Sequence, residues 1–230
     1  MNKVYAIADI HGQYNLWRQI IETLDQSDML YVLGDCGDRG PDGWKIICEA
    51  LRDPRVIYIR GNHEEMLLHS WRYDWRGEDF YMWQYNGGYE TFENMLQDVN
   101  HQKYLIELAK TKFYHCYKNK NGNIIHLSHA GFTLMQNNAI PHKDDLLWDR
   151  DHLEDRCDWW PEENPNDYMV HGHTYCASRC FSRVDIKLND SKTVGRYAHG
   201  HKICIDGRSF QYGKIAMLDL DTLEEIVFYN

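Results

Sequence analysis

Three short apolar runs each stop at residues able to bind a metal ion or an anion, and this repetition restricts the fold more than any other feature. Residues 4–8 (Val-Tyr-Ala-Ile-Ala) end in Asp9-Ile10-His11-Gly12. Residues 29–33 (Met-Leu-Tyr-Val-Leu) end in Gly34-Asp35-Cys36-Gly37-Asp38-Arg39-Gly40, and residues 56–59 in Arg60-Gly61-Asn62-His63-Glu64. Short continuous apolar runs suit strands buried on both faces. Helical periodicity fills the gaps, with Leu16, Ile20, Ile21 and Leu24 in residues 14–24. A second helix is expected over 42–51, with Pro41 suited to its first turn, and a third from Glu64 to Ser70. The pattern predicts a βαβαβ unit with its polar groups at the C-terminal ends of the strands, where open α/β sheets place their sites. Asp9 and His11, two apart, are expected to point to the same side of an extended backbone.

The character changes over residues 71–117, an aromatic-rich helical insert with Asn86-Gly87-Gly88 at its centre. Most of its rings are expected to pack between a helical cap and the sheet, and a few to line a groove. A hairpin follows, 113–117 and 124–128 around a polar turn, and its second strand ends in His129-Ala130-Gly131. Residues 141–167 read as irregular and acidic around Leu146-Leu147-Trp148-Asp149-Arg150, and 168–170 as a brief strand ending in His171-Gly172-His173-Thr174. Residues 202–206, 214–219 and 225–229 read as closing antiparallel strands, and residues 193–202 have no assigned role. No linker divides the chain, so a single domain over 1–230 is expected.

The formal charge of −10 argues against a broad nucleic-acid or anionic-membrane surface. It leaves room for a phosphorylated substrate, because bound cations and a few arginines reverse the local sign. No apolar stretch approaches the ~18–20 residues of a membrane span. Residue 1 leads directly into a strand with no signal peptide, and seven scattered cysteines suit reduced thiols, so a cytoplasmic protein is expected.

Two divalent cations sharing a phosphate need oxygen and imidazole ligands, a bridging carboxylate and open positions. The strand ends provide them: Asp9 and His11 for one cation, Asp35 as bridge, Asn62 and further histidines for the other. In that order the motifs Asp9-Ile-His11-Gly12, Gly34-Asp35-Cys-Gly-Asp38-Arg39-Gly40, Gly61-Asn62-His63-Glu64, His129-Ala-Gly and Gly172-His173-Thr174 resemble the phosphoprotein phosphatase family of metallophosphoesterases, and especially its short bacterial and phage-type serine/threonine phosphatases. The resemblance implies a four-layer α/β/β/α sandwich of two mixed β-sheets flanked by helices. It implies Asp9, His11 and Asp35 on one metal, with Asp35, Asn62, His129 and His173 on the other. Arg39 and Arg150, with Asn62, would bind the substrate phosphate. His63 would be the general acid, held by Asp38, and a hydroxide bridging the metals the nucleophile. Two divalent ions are implied, Mn²⁺ first, with Fe or Zn acceptable. A phosphorylated protein or small phosphoester is the implied substrate.

His-Gly-His occurs at both 171–173 and 199–201, and the copy after an apolar run is preferred. His171, His199 and His201 are then expected at the solvent or substrate edge, and His69, His101, His115, His142 and His152 on the surface. Cys36 is expected as a small buried side chain. Cys176 and Cys180 beside His171 and His173 match no standard zinc spacing. Diadenosine tetraphosphate hydrolysis is the alternative activity, because relatives with this core cleave it. Asp38 speaks against the symmetric type of that enzyme, while Asp38-Arg39-Gly40-Pro41 is shared with the asymmetric type. An inactive phosphopeptide-binding module is the third reading, and no ligand position is lost to suggest it.

Overall fold

The computed structural model describes residues 2–132, 141–153 and 165–230. Eleven strands form two mixed sheets among these residues. The first holds β1 (Val4–Ile7), β2 (Met29–Leu33), β3 (Val56–Ile59), β10 (Lys214–Asp219) and β11 (Glu225–Tyr229), in the order β11-β10-β1-β2-β3. β1, β2 and β3 run parallel, while β10 lies antiparallel to both β1 and β11. The second holds β4 (Tyr114–Lys118), β5 (Ile124–Ser128), β6 (Tyr168–His171), β7 (Lys187–Leu188), β8 (Gly195–Tyr197) and β9 (Lys202–Cys204), in the order β4-β5-β6-β9-β8-β7.

The first sheet sorts its side chains with period two. Tyr5, Ile7, Leu30, Val32, Ile215 and Met217 face α1 (Tyr14–Thr23) and α2 (Gly43–Arg52), packing on Leu16, Trp17, Ile46 and Ile47. Their neighbours Ala6, Ala8, Tyr31, Leu33, Ala216 and Leu218 face the second sheet and meet Ile125, Leu127, Val170 and Ile203. Each sheet–sheet residue is thus removed from water by a strand of the opposite sheet, at about 25 cal/mol per Å² of apolar area. The result is two sheets face to face, flanked by helices.

Helices α3 (Asn62–Arg72), α4 (Gly77–Trp83), α5 (Tyr89–Gln97) and α6 (His101–Leu108) lead from β3 to β4, with a kink at Gly87 between α4 and α5. Trp83 is fully buried, and Trp71, Trp75, Phe80 and Phe92 pack on the same core, whereas Tyr73, Tyr81, Tyr85 and Tyr89 are exposed. The aromatic stretch therefore divides between core and surface.

Two expectations are corrected, and one unassigned stretch gains a role. Residues 141–167 contain a helix, α7 (Lys143–Trp148), started by a reciprocal cap between His142 and Asp145; residues 154–164 lie outside the described part. β9 is antiparallel to β8 but parallel to its other neighbour, β6. Residues 193–202 supply β8, which covers the far edge of β9.

Candidate metal centre and phosphate pocket

The C-terminal ends of β1, β2 and β3 meet those of β5 and β6. At this meeting point the backbone leaves extended geometry abruptly. Asp9, His11, Asp35, Asp38, Arg39 and His173 all have φ between 43° and 65°. Non-glycine residues seldom enter this left-handed region, and a cluster of them marks a place where function outranks local comfort. Asp9 and His11 are thus not side by side on an extended strand, as their spacing suggested. A left-handed turn places each of them separately.

Hydrogen bonds hold the turns. The His11 and Gly12 N–H groups donate to the Asp35 and Cys36 carbonyls, tying the first loop to the second. The buried Glu64 carboxylate accepts from the N–H groups of Asp35, Cys36 and Gly61 at 2.8–2.9 Å, tying the second loop to the third. The His173 N–H donates to Asp9 Oδ2 at 2.9 Å, joining the two sheets. A Cβ at Gly172 would overlap that Asp9 oxygen, so the approach requires glycine.

The polar atoms converge in a manner that suits cations. The His129 Nδ1 faces the Leu33 carbonyl at 2.8 Å, which leaves its Nε2 turned to the centre. That Nε2 lies 2.8 Å from Asn62 Oδ1 and 3.4 Å from Asp35 Oδ1, and His173 Nδ1 lies 3.1 Å from the same Asn62 oxygen. His11 Nδ1 faces the Gly37 carbonyl at 2.8 Å, which leaves its Nε2 as the acceptor. Ligand atoms of Asp9, Asp35 and His129 lie within 4.8 Å of one another, as do those of His11, Asp35 and His63. Several acceptors facing one another at such distances could hold a divalent cation.

Burial shifts the titration of these groups, though not all in one direction. Burial, with Asp206 and Asp35 nearby, pushes the Asp9 carboxyl well above its usual range. Burial pulls His11 and His173 well below the usual imidazole value. Asp35 is the exception: burial raises it, but His129, His63 and His11 outweigh that and hold it ionised. The lowered His11 and His173 and the ionised Asp35 suit metal ligands, whereas the raised Asp9 has to give up its proton to a bound cation.

His63 faces the other way. Its Nδ1 lies 2.6 Å from Asp38 Oδ2, and the Trp83 indole N–H donates to that same oxygen at 2.7 Å. Burial lowers the His63 imidazolium, but Asp35 and Asp38 outweigh it and the net shift is upward. Nδ1 is committed to Asp38, so Nε2 is left to face the centre, 3.8 Å from Asp35 Oδ2.

Above the buried floor lies a pocket of about 540 Å³ lined by Arg39, Arg150, His173, Tyr85 and Phe210, among others. Arg39 is exposed; its Nη1 donates to His11 Nε2 at 2.9 Å, and its own N–H is held by the Gly87 carbonyl. Gly87, at φ 101°, has no room for a Cβ against the Arg39 side chain, so the insert clamps the Asp38-Arg39 loop directly.

Sequence reasoning missed three contributors. Asp206 is buried below Asp9, and burial pushes it up to about 6. Its signal was present, since Ile203-Cys204-Ile205 before Asp206-Gly207 repeats the pattern of an apolar run stopped by a carboxylate. Trp83 gave no local signal. Arg208 lines the same pocket as Arg39, both guanidiniums lying against Phe210. His171 and His152 are buried instead of peripheral: β6 lies mid-sheet, and His171 Nε2 accepts from the Tyr197 hydroxyl at 2.8 Å while the His152 ring packs on it. Cys36 is buried as expected, and burial pushes its thiol far up, away from the reactive thiolate.

With this geometry in place, comparison with known proteins is informative. The family model for Calcineurin-like phosphoesterase matches residues 2–203. Serine/threonine-protein phosphatase 2 of Escherichia coli (strain K12) is 28% identical over 184 residues, covering 74% of this chain and 78% of that protein. A symmetrical bis(5'-nucleosyl)-tetraphosphatase of Buchnera aphidicola is 39% identical over 69 residues, 28% of this chain and 25% of the relative. Among solved structures, a provisionally named diadenosine tetraphosphatase superposes with a TM-score of 0.68 at 15% identity, over 100% of this chain and 94% of its own. That likeness concerns the fold. No described helix is long and apolar enough to cross a membrane.

Proposed function

The chain belongs to the calcineurin-like phosphoesterase family of metal-dependent hydrolases, and from that premise we propose that it is a serine/threonine protein phosphatase. The observation that carries this reading is the buried Asp38–His63 contact of 2.6 Å. Serine and threonine leave as alkoxides and need a proton as the P–O bond breaks. A polyphosphate chain leaves as an already stable anion and needs none. A site that sets a buried carboxylate, itself held by an indole N–H, against one histidine suits the poorer leaving group. The similarity to the Escherichia coli serine/threonine phosphatase, over 74% of this chain, weighs the same way against the asymmetric dinucleotide hydrolases that share the Asp38-Arg39 run.

In this reading Asp9, His11 and Asp35 would hold one divalent cation, and Asp35, Asn62, His129 and His173 the second. Such ions, with Mn²⁺ the first candidate and Fe or Zn compatible with the same ligands, would neutralise phosphate oxygens and acidify water. The chain's own groups do the rest. Arg39 and Arg150 grip the equatorial oxygens, where a planar fork matches the geometry. The neutral Asn62 oxygen limits negative charge next to the incoming phosphate. Asp38 accepts the His63 Nδ1–H, and His63 delivers its Nε2 proton to the leaving oxygen. Glu64 keeps the loops in register without touching substrate.

Hydrolysis of diadenosine tetraphosphate is the second reading, supported by the relatives of that name and by an additional arginine in the pocket. Measuring kcat/KM with Mn²⁺ on a phosphoserine peptide and on diadenosine tetraphosphate, against a chelated control, decides between them. The proposal expects preference for the peptide and no turnover after chelation. Preference for the dinucleotide overturns it while leaving the ligand set intact.

A further inference from the structure

Arg39 and Arg150 suffice for one phosphate dianion, yet the pocket wall carries a third arginine, Arg208. It stands just beyond β9 at φ 55° and ψ 55°, the same left-handed region as the six site residues described above. Its N–H donates to the buried Asp206 carboxylate at 2.7 Å, which fixes this conformation. The guanidinium carbon lies 5.9 Å from the Tyr175 ring centroid and 5.7 Å from that of Phe210. Cation–π contact with two rings holds the fork in place without using its N–H groups. No carboxylate among the described residues pairs with the Arg208 side chain. Phe210 is also 5.2 Å from the Arg39 guanidinium, so one ring spaces the two cations. In a chain of net charge −10, a held and exposed guanidinium beside an already supplied phosphate site calls for a second anion.

We propose that Arg208 forms a second anion subsite, which takes a phosphate carried by the substrate next to the one being hydrolysed. Preferred substrates then bear two phosphates close together. The second may come from a neighbouring phosphoserine or from the next unit of a polyphosphate chain. The inference rests on the phosphoester reading of the site and narrows its substrate class.

Binding tests it separately from chemistry. In the Mn²⁺-loaded protein carrying His63→Asn to slow turnover, affinities are measured for fluorescent peptides with one phosphoserine or with two, spaced by one residue. Diadenosine tetraphosphate and adenosine monophosphate serve as competitors for the second source. The expected result is about tenfold tighter binding of at least one two-phosphate ligand than of its one-phosphate partner, the scale of one charge-assisted bidentate contact. Arg208→Ala and Arg208→Gly should reduce that advantage to within twofold, and Arg208→Lys should keep part of it. The glycine variant suits the left-handed backbone, so a folding defect cannot imitate the effect. Which ligand loses its advantage identifies the source. No two-phosphate preference with Arg208 present, or a preference that survives both variants, overturns the proposal. Hydrolysis of the singly phosphorylated peptide by protein with His63 intact judges the phosphoester reading on its own.

Discussion

Asp35 and Arg39 are four residues apart in one loop, yet they belong to differently built regions. Asp35 is 2% exposed and sits among His11, His63, His129 and the Glu64-bound loop backbone. Arg39 is open to solvent, with its backbone clamped by Gly87 and its side chain against Phe210 and His11. The floor is buried, densely hydrogen-bonded and locked in left-handed turns; the rim is exposed, aromatic and cationic. The floor can only be kept or lost, because each of its groups satisfies several others. The rim can change residue by residue without disturbing the fold, which suits the part that selects substrates.

The comparison can be broken at graded depth. Asp35→Asn removes the carboxylate on which both halves of the floor converge, and should lower kcat/KM by about 10³-fold or more, equivalent to about 4 kcal/mol. Steady-state assays across a Mn²⁺ series check this, and recovery at high Mn²⁺ would argue that Asp35 is replaceable. His63→Asn should cost ~10²–10³-fold on a phosphoserine peptide but much less on p-nitrophenyl phosphate, whose leaving group needs little protonation. Equal losses on both substrates remove His63 from the acid role.

At the junction of floor and rim, Trp83→Phe deletes the N–H held by Asp38 and should cost about tenfold in kcat, with metal content unchanged. The pH profile adds a sign. The His63 imidazolium is raised by Asp35 and Asp38 against the pull of burial, so the acid form persists above the usual value near 6.5. Turnover of the peptide should decline as pH rises through that raised value, and Asp38→Asn should shift the alkaline limb to lower pH. An unmoved limb would detach Asp38 from His63. On the rim, Tyr85→Ala removes a side chain that is 90% exposed and lines the pocket, and should raise the peptide KM only two- to threefold. A larger effect on kcat than on KM would mean that the rim participates in chemistry.

How much of this could be read from the residues follows the same division. Asp9, Asp35, Asn62, His129 and His173 each close an apolar run, so one-dimensional order announced them, and the two-sheet sandwich came with the family resemblance those motifs carry. The backbone that aims them was not readable, since nothing local shows that Asp9 and His11 occupy left-handed turns. Trp83 was one aromatic among many, and its contact with Asp38 spans 45 residues of chain. His171 read as peripheral because only one histidine of its His-Gly-His was assigned to the site, whereas β6 lies between β5 and β9 and buries it. Arg208 follows a strand like the other site residues, but its role depends on Tyr175 and Phe210 meeting around it. Local patterns show what ends a strand; long-range packing decides what stands opposite.

The most direct test of the account is the number of metal ions the floor holds. After chelation, Mn²⁺ is titrated into the wild-type chain and Asp35→Asn, with free ion read by electron paramagnetic resonance and hydrolysis of a phosphoserine peptide followed in parallel. The account predicts two ions bound per wild-type chain, hydrolysis appearing as the second site fills, and loss of at least one ion in Asp35→Asn. Saturation of the wild type at one ion with full activity, or full activity with none bound, would contradict it.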